Sequence, residues 1–275
     1  MPELPEVETI ARSLQSGGRG QVPISGKVIS SAKLTWPRTL AEPGKNTFLK
    51  RLLGQRVEEV SRRGKFIVIR MDKDYLLIHL RMSGDLRVEV EAEAQLQPHD
   101  RLAIHFTDGY RLFFNDTRKF GRVWLVSDPQ RILGGLGPEP LDGALTAEDF
   151  HIRLASRKRQ LKPLLLDQTF MAGLGNIYTD EALHIAGLHP LRRSDLLSSD
   201  KASKLLGVIR EVLLEGIRNN GASIDWVYRG GDFQNHFRVY QRTGKPCPAC
   251  GTPIQRILVG QRSSHFCPVC QELTD

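Results

Sequence analysis

Up to about residue 131, apolar positions alternate with polar ones or gather in short runs, the period of β-strands. GKVISSAKL, KFIVIRM, YLLIHLRM and DLRVEVE follow this pattern, each bounded by Gly or charged residues. RLAIHF and YRLFF flank the turn TDG, where Asp108 and Gly109 supply hairpin chemistry, and KFGRVWLV makes a further strand. Several strands at short spacing predict an antiparallel sandwich or flattened barrel rather than a parallel α/β sheet. The pattern breaks at ILGGLGPEPLDGAL, which is rich in Gly and Pro and has no period. Beyond it the period becomes helical: Thr146 and Asp149 form a capping box for TAEDFHIRLAS. Leu205, Leu206, Ile209, Val212, Leu213 and Ile217 make one stripe of a helix that ends near Gly221. The last segment, from about Phe237, is again short-stranded. The predicted organisation is a β-sandwich over 1–131, a linker over 132–145, a helical domain over 146–236 and a cysteine-bearing module over 237–275.

Composition adds a charge. The 275 residues carry 39 Lys and Arg against 31 Asp and Glu, a net +8, which suits a polyanionic partner such as nucleic acid. No apolar run approaches the ~20 residues needed to span a bilayer, and no basic segment followed by an apolar core opens the chain. The expectation is a cytoplasmic protein with no membrane partner.

All four cysteines lie between Cys247 and Cys270, as two C-x2-C pairs separated by sixteen residues. GTPIQRILVGQRSSHF between them can form a hairpin that brings Cys247 and Cys250 opposite Cys267 and Cys270. Four thiolates in this pattern predict one structural Zn²⁺ with no open coordination position. Upstream, Gly173 and Gly175 in MAGLGN let backbone approach a ligand, and the helix beginning at Asn176 points its free amides to the same place. A packing turn between two helices accounts for the glycines equally well. The opening MPELPEVETI places Pro5 in the first turn of a helix, with Pro2 and Glu3 at its positive end.

Taken in order, MPELPEVET, HLRMSG, DTRKFG, LGPEPL, LLLDQTFMAGLGNIYTDEAL and the four-cysteine finger make the chain resemble the bacterial formamidopyrimidine-DNA glycosylases over nearly its whole length. The resemblance implies an α+β multidomain fold: an N-terminal antiparallel β-sandwich, a helical domain with a helix–two-turns–helix, and a C-terminal four-cysteine zinc finger. It implies excision of oxidised purines, chiefly 8-oxoguanine and formamidopyrimidines, from double-stranded DNA, with strand cleavage at the abasic site, by a monomer at the bacterial nucleoid. Pro2 matches the nucleophile after removal of Met1, and Glu3 matches the acid/base residue. Glu6 matches a further active-site carboxylate, although a first-turn helix acid reads the same way, and Lys65 matches a β-strand lysine at the lesion. Met82, Arg118 and Phe120 match an intercalating triad, with Arg118 and Phe120 expected on one face of a strand. His79, Lys162, Asn176, Tyr240 and Arg262 match phosphate contacts.

Two stretches depart from the family pattern. IDWVYRGGDFQNHFRVY, at the place of the loop that caps the extruded base, is several residues short, and 33–50 is longer than usual. The alternatives are an endonuclease VIII-like glycosylase for oxidised pyrimidines and a non-catalytic zinc-dependent DNA-binding protein. Leu4, Met82, Arg118 and Phe120 favour the purine enzyme over the first. Strand cleavage through an N-terminal amine separates it from the second.

Overall fold

A computed structural model describes residues 1–18, 20–90, 95–223 and 230–273. The chain runs α1 (Leu4–Ser16), β1 (Ile29–Leu34), β2 (Leu40–Glu42), α2 (Lys45–Leu52), β3 (Val57–Arg63), β4 (Phe66–Met71), β5 (Tyr75–His79), β6 (Gly84–Val90), β7 (Asp100–Phe106), β8 (Tyr110–Asp116) and β9 (Arg122–Val126). Then come α3 (Gln130–Leu133), α4 (Ala147–Ala155), α5 (Leu161–Leu165), α6 (Asn176–Ala186), α7 (Ser199–Arg218), β10 (Gln255–Val259) and β11 (Arg262–Phe266). Two compact units result: Met1–Gly135 with the described residues of Asn220–Gly231, and Leu136–Asn219 with Asp232–Asp275 as far as residue 273.

In the first unit, sheets of order β1-β7-β8-β6 and β2-β9-β5-β4-β3 enclose one core. Alternation decides which side chains enter it, because successive residues of a strand face opposite ways. Ile67 and Ile69 of β4, Leu76 and Ile78 of β5, Leu102 and Ile104 of β7, and Leu112 and Phe114 of β8 are all buried there. The expected β7–β8 hairpin forms, with Gly109 at φ 80° in its turn. Helix α1 lays Val7, Ile10, Ala11 and Leu14 into the same core, at the spacing of one helical face.

One pairing departs from the antiparallel expectation: β2 runs parallel to β9. It belongs to the long stretch 33–50, whose other elements are the turn Pro37–Thr39 and the start of α2, and Phe48 and Leu52 bury that helix in the core. A three-residue edge strand has too little sequence to show its direction.

The second unit is helical with a two-stranded finger, β10–β11. Thr146 and Asp149 make the expected capping box at α4. The buried face of α7 contains Leu205, Leu206, Ile209, Val212 and Leu213. Gly216 lies against the Tyr178 ring of α6, where a Cβ would come within 2.5 Å of ring carbon. The end of the Gly- and Pro-rich stretch is held by Arg210 of α7, which donates to the carbonyls of Pro140, Asp142 and Leu145. No helix among the described residues is long and apolar enough to cross a membrane.

Candidate active site

Pro2 and Glu3 are both buried, directly ahead of α1, with Glu3 as its N-cap. Glu6, at the third helical position, accepts the Glu3 backbone N–H at 2.7 Å. Its other oxygen accepts the Ala222 backbone N–H, also at 2.7 Å. A buried carboxylate needs such donors, since its desolvation is otherwise uncompensated. Glu6 is thus a first-turn acid of α1 whose carboxylate also holds the Glu3 backbone. On the far face of α1, Glu8 bridges Arg62 of β3 at 2.8 Å and Arg12 at 2.6 Å. Burial alone would raise the Glu8 carboxyl, but the two guanidinium groups outweigh it and hold it below its ordinary value.

Lys65 stands in the two-residue turn Gly64–Lys65 between β3 and β4, not on a strand, and it is buried rather than solvated. The register of β4 with β5 sets Phe66 opposite His79, whose rings meet edge to face at 4.7 Å. Burial, with the nearby Arg81 and Lys65 charges, pushes the His79 imidazole down to about 3. Its Nδ1 accepts the Arg81 N–H at 3.0 Å, so the proton of the neutral ring sits on Nε2. His79 is thus an uncharged donor.

The intercalation candidates occupy two turns that a single buried carboxylate joins. Met82 lies, half-buried, in the β5–β6 turn. Arg118 and Phe120 lie in the β8–β9 turn, both exposed, and Phe120 is 54% exposed, which excludes it from the core. The expectation that they share a strand face is corrected: β8 ends at Asp116, and Lys119 adopts φ 62°. They come together all the same, with the Arg118 guanidinium 5.5 Å from the Phe120 ring centre, because the left-handed residue reverses the chain between them.

Asp116 accepts the Ser83 hydroxyl, the Arg118 N–H at 3.3 Å and the Gly121 N–H at 2.7 Å. Ser83 in turn accepts the Arg118 N–H at 3.0 Å, which links both turns. The glycines of both motifs are steric requirements. A Cβ on Gly121 would lie 2.4 Å from the Phe114 ring, and one on Gly84 would lie 2.6 Å from the Leu80 carbonyl oxygen. The long stretch 33–50 touches this turn, where the Lys119 ammonium sits 4.2 Å from the Trp36 ring centre.

In the second unit, Gly173 takes φ 93° in the turn before α6, and Gln168 stitches that turn through the Gly173 N–H and the Leu166 and Leu174 carbonyls. Asn176 opens α6 with its Oδ1 buried and without a hydrogen-bond partner among the described residues. Tyr240 is half-buried between the Phe237 and His265 rings. Glu181 places it by accepting the backbone N–H groups of Arg238, Val239 and Tyr240. Burial still pushes the Glu181 carboxyl up. Arg262 is exposed at the start of β11.

Lys162 does not fit the role of a phosphate contact. Its side chain is fully buried, with Nζ 2.5 Å from Asp180 and 2.6 Å from the Ser263 carbonyl oxygen. Asp180 also accepts from Ser264 and His265, so the pair docks β11 onto α6. An ammonium neutralised in this way has no surface to offer a phosphate.

The four cysteine sulfurs all lie within 4.8 Å of one another, with Cys250–Cys267 at 3.4 Å and Cys247–Cys270 at 3.9 Å. A tetrahedral zinc with Zn–S of about 2.3 Å needs S–S edges of about 3.8 Å, so the set fits one ion, whereas a disulfide would need about 2.05 Å. Burial, then the neighbouring sulfurs, pushes the Cys270 thiol up, as expected of crowded thiols that need a cation to ionise together.

Asp116, Ser83, Trp36, Glu181 and Asp180, which hold these candidate segments in place, are not legible from the sequence, because each acts through partners distant in the chain. The proposed base-capping segment falls partly on residues 224–229, which lie outside the described residues.

Residues 1–123 match the formamidopyrimidine-DNA glycosylase N-terminal domain, 136–227 its H2TH domain, and 244–273 a zinc finger found in FPG and IleRS. The chain is 46% identical to a formamidopyrimidine-DNA glycosylase of Chloroflexus aggregans and 42% identical to one of Protochlamydia amoebophila, covering 99% of itself and at least 99% of each relative. It is similar, with a TM-score of 0.90 and 38% identity over 98% of its length and 100% of the relative's, to a Lactococcus lactis enzyme bound to DNA containing N7-benzyl-Fapy-dG. A second solved relative, bound to DNA containing carbocyclic 8-oxo-G, has a TM-score of 0.89 and 38% identity, again over 98% of this chain and 100% of that one. With its sandwich, its two-turn helical unit and its four-cysteine finger all matched, this chain belongs to the formamidopyrimidine-DNA glycosylase family.

Proposed function

We propose that the protein excises oxidised purines, 8-oxoguanine and formamidopyrimidines, from double-stranded DNA and then cleaves the strand, as a base-excision-repair glycosylase and lyase. The observation that carries this reading is the exposed Arg118–Phe120 turn, held rigidly to the Met82 turn by Asp116. Extruding a nucleotide costs a few kcal/mol of stacking and pairing, and side chains that fill the gap offset it. Met82 and Phe120 act as apolar wedges, and Arg118 reaches the orphaned cytosine. His79, as a neutral Nε2–H donor, with Asn176, Tyr240 and Arg262, holds the phosphates on either side.

Once Met1 is removed, Pro2 presents a secondary amine. Its nitrogen attacks C1′ of the sugar, the N-glycosidic bond breaks, and its electron pair leaves with the base, which gains a proton. Glu3 protonates the ring oxygen as the sugar opens, leaving an iminium between Pro2 and C1′. The fixed positive charge acidifies the C2′ proton. Its loss expels the 3′ phosphate, and a second elimination expels the 5′ phosphate. Lys65 adds positive charge beside the lesion. Zinc, held by Cys247, Cys250, Cys267 and Cys270, has no open position and takes no part in the chemistry. The reading includes a monomer working on nucleoid DNA in the bacterial cytoplasm.

Borohydride reduction of the iminium tests the reading. A duplex with 8-oxoguanine opposite cytosine should yield a covalent adduct in preference to one with thymine glycol, and Pro2→Gly or a blocked terminus should abolish it. Tight binding to the first duplex with no adduct overturns the lyase, and preference for thymine glycol moves the enzyme to oxidised pyrimidines.

A further inference from the structure

We propose that His184 is a positioning residue of the zinc site: its Nε2–H donates a hydrogen bond to the metal-bound thiolate of Cys247 and ties the site to helix α6. His184 lies in the last turn of α6, buried, with Nε2 3.3 Å from the Cys247 sulfur. Cys247 is itself buried. The proton assignment follows from the surroundings. His184 Nδ1 is buried with no partner among the described residues. A proton there would be a buried, unsatisfied donor, while the Nε2 lone pair would face the electron-rich sulfur. The opposite tautomer satisfies the N–H and leaves only a lone pair without a partner, which costs less.

The bond addresses a specific electrostatic difficulty. Four thiolates around one Zn²⁺ leave a net charge of −2, with Cys247 and Cys267 buried. An N–H donor aimed at one sulfur withdraws electron density from it and lowers its tendency to protonate, oxidise or dissociate. Two further contacts show that the end of α6 is fitted to the cysteine knuckle. Gln271 donates to the Leu188 carbonyl at 2.8 Å, and a Cβ on Gly187, at φ 71°, would lie 3.4 Å from the Cys270 carbonyl oxygen. Since α6 starts at Asn176 and the finger carries Arg262, the same joint fixes two of the proposed phosphate contacts relative to each other.

His184→Phe keeps the ring and removes the donor, whereas His184→Gln offers an amide N–H at similar reach. Transfer of zinc from the folded protein to a chromogenic chelator is the measurement. We expect affinity to fall roughly ten- to hundred-fold in His184→Phe and to recover largely in His184→Gln. Wild-type retention of zinc in a folded His184→Phe protein overturns the proposal, as does failure of Gln to restore it. Should His184→Phe not fold, the wild-type protein loaded with ¹¹³Cd gives the answer by NMR. A scalar coupling between the metal and the His184 Nε2 proton supports the bond, and an Nδ1-protonated ring or an uncoupled Nε2 proton overturns it.

Discussion

The Glu6 carboxylate reaches a backbone segment 216 positions along the chain, accepting Ala222 N–H through one oxygen and Glu3 N–H through the other. Gly221 packs on the same group at φ 80°, and a Cβ there would lie 2.6 Å from Oε1. Gly231 closes the arrangement, donating to Ser223 at 2.8 Å, with room for no Cβ beside the Gly221 carbonyl. The chain entering and leaving the proposed capping segment is thus pinned to the residue that also holds Glu3.

Gly221→Ala should therefore cost about 1–3 kcal/mol through the strained backbone and the clash. It should slow removal of 8-oxoguanine more than cleavage at a preformed abasic site, where no base needs to be held. Single-turnover rates on the two duplexes check this; equal losses would mean that Glu6 serves the amine chemistry alone.

Asp116→Asn replaces one accepting oxygen by an NH2 donor that faces hydrogen-bond donors, and should destabilise the sandwich by about 1–3 kcal/mol. Excision from a paired duplex should fall further than binding to DNA that already contains a gap, because the wedge turn is then unsupported. Trp36→Ala, which removes a contact of about 0.5–1 kcal/mol under Lys119, should show the same ratio in milder form. Parallel excision and binding assays decide it.

The His79 imidazole, lowered to about 3 in the folded protein, makes a signed prediction about acid. Between pH 6.5 and 3 the unfolded chain takes up a proton at this position that the folded chain refuses. Stability therefore falls as pH falls, by about 1.4 kcal/mol per pH unit from this group within that window. The urea midpoint of His79→Asn should depend less steeply on pH between 6.5 and 4 than that of wild type.

Lys162→Met leaves Asp180 buried without its cation and should cost about 3–5 kcal/mol, measurable as a lower urea midpoint. Pairing it with Asp180→Leu should recover part of the loss. A phosphate-contacting lysine would behave oppositely: little change in stability, and a shallower dependence of DNA affinity on salt.

Much of this protein is written locally and can be read locally. Two C-x2-C pairs and a hairpin between them bring four sulfurs together, a pattern legible from the spacing alone. Thr146 with Asp149, and the 3.6-residue stripe of α7, need only their own helices. The alternation in β4, β5, β7 and β8 likewise selects the faces that meet in the core. Tertiary structure decided what depends on partners far along the chain. Lys162 looks like any basic residue ahead of a glycine turn until Asp180 and the Ser263 carbonyl neutralise it. Arg118 and Phe120 share a face through a left-handed turn that Asp116 and Ser83 support, not through strand alternation. The parallel neighbour of β2 is β9, distant in the chain, where Leu40 lies opposite Val123. Glu6 and Gly221 illustrate the limit: neither can be read without the other, because the hydrogen bonds and the missing Cβ that define their roles exist only when helix α1 meets a segment more than two hundred residues further along the chain.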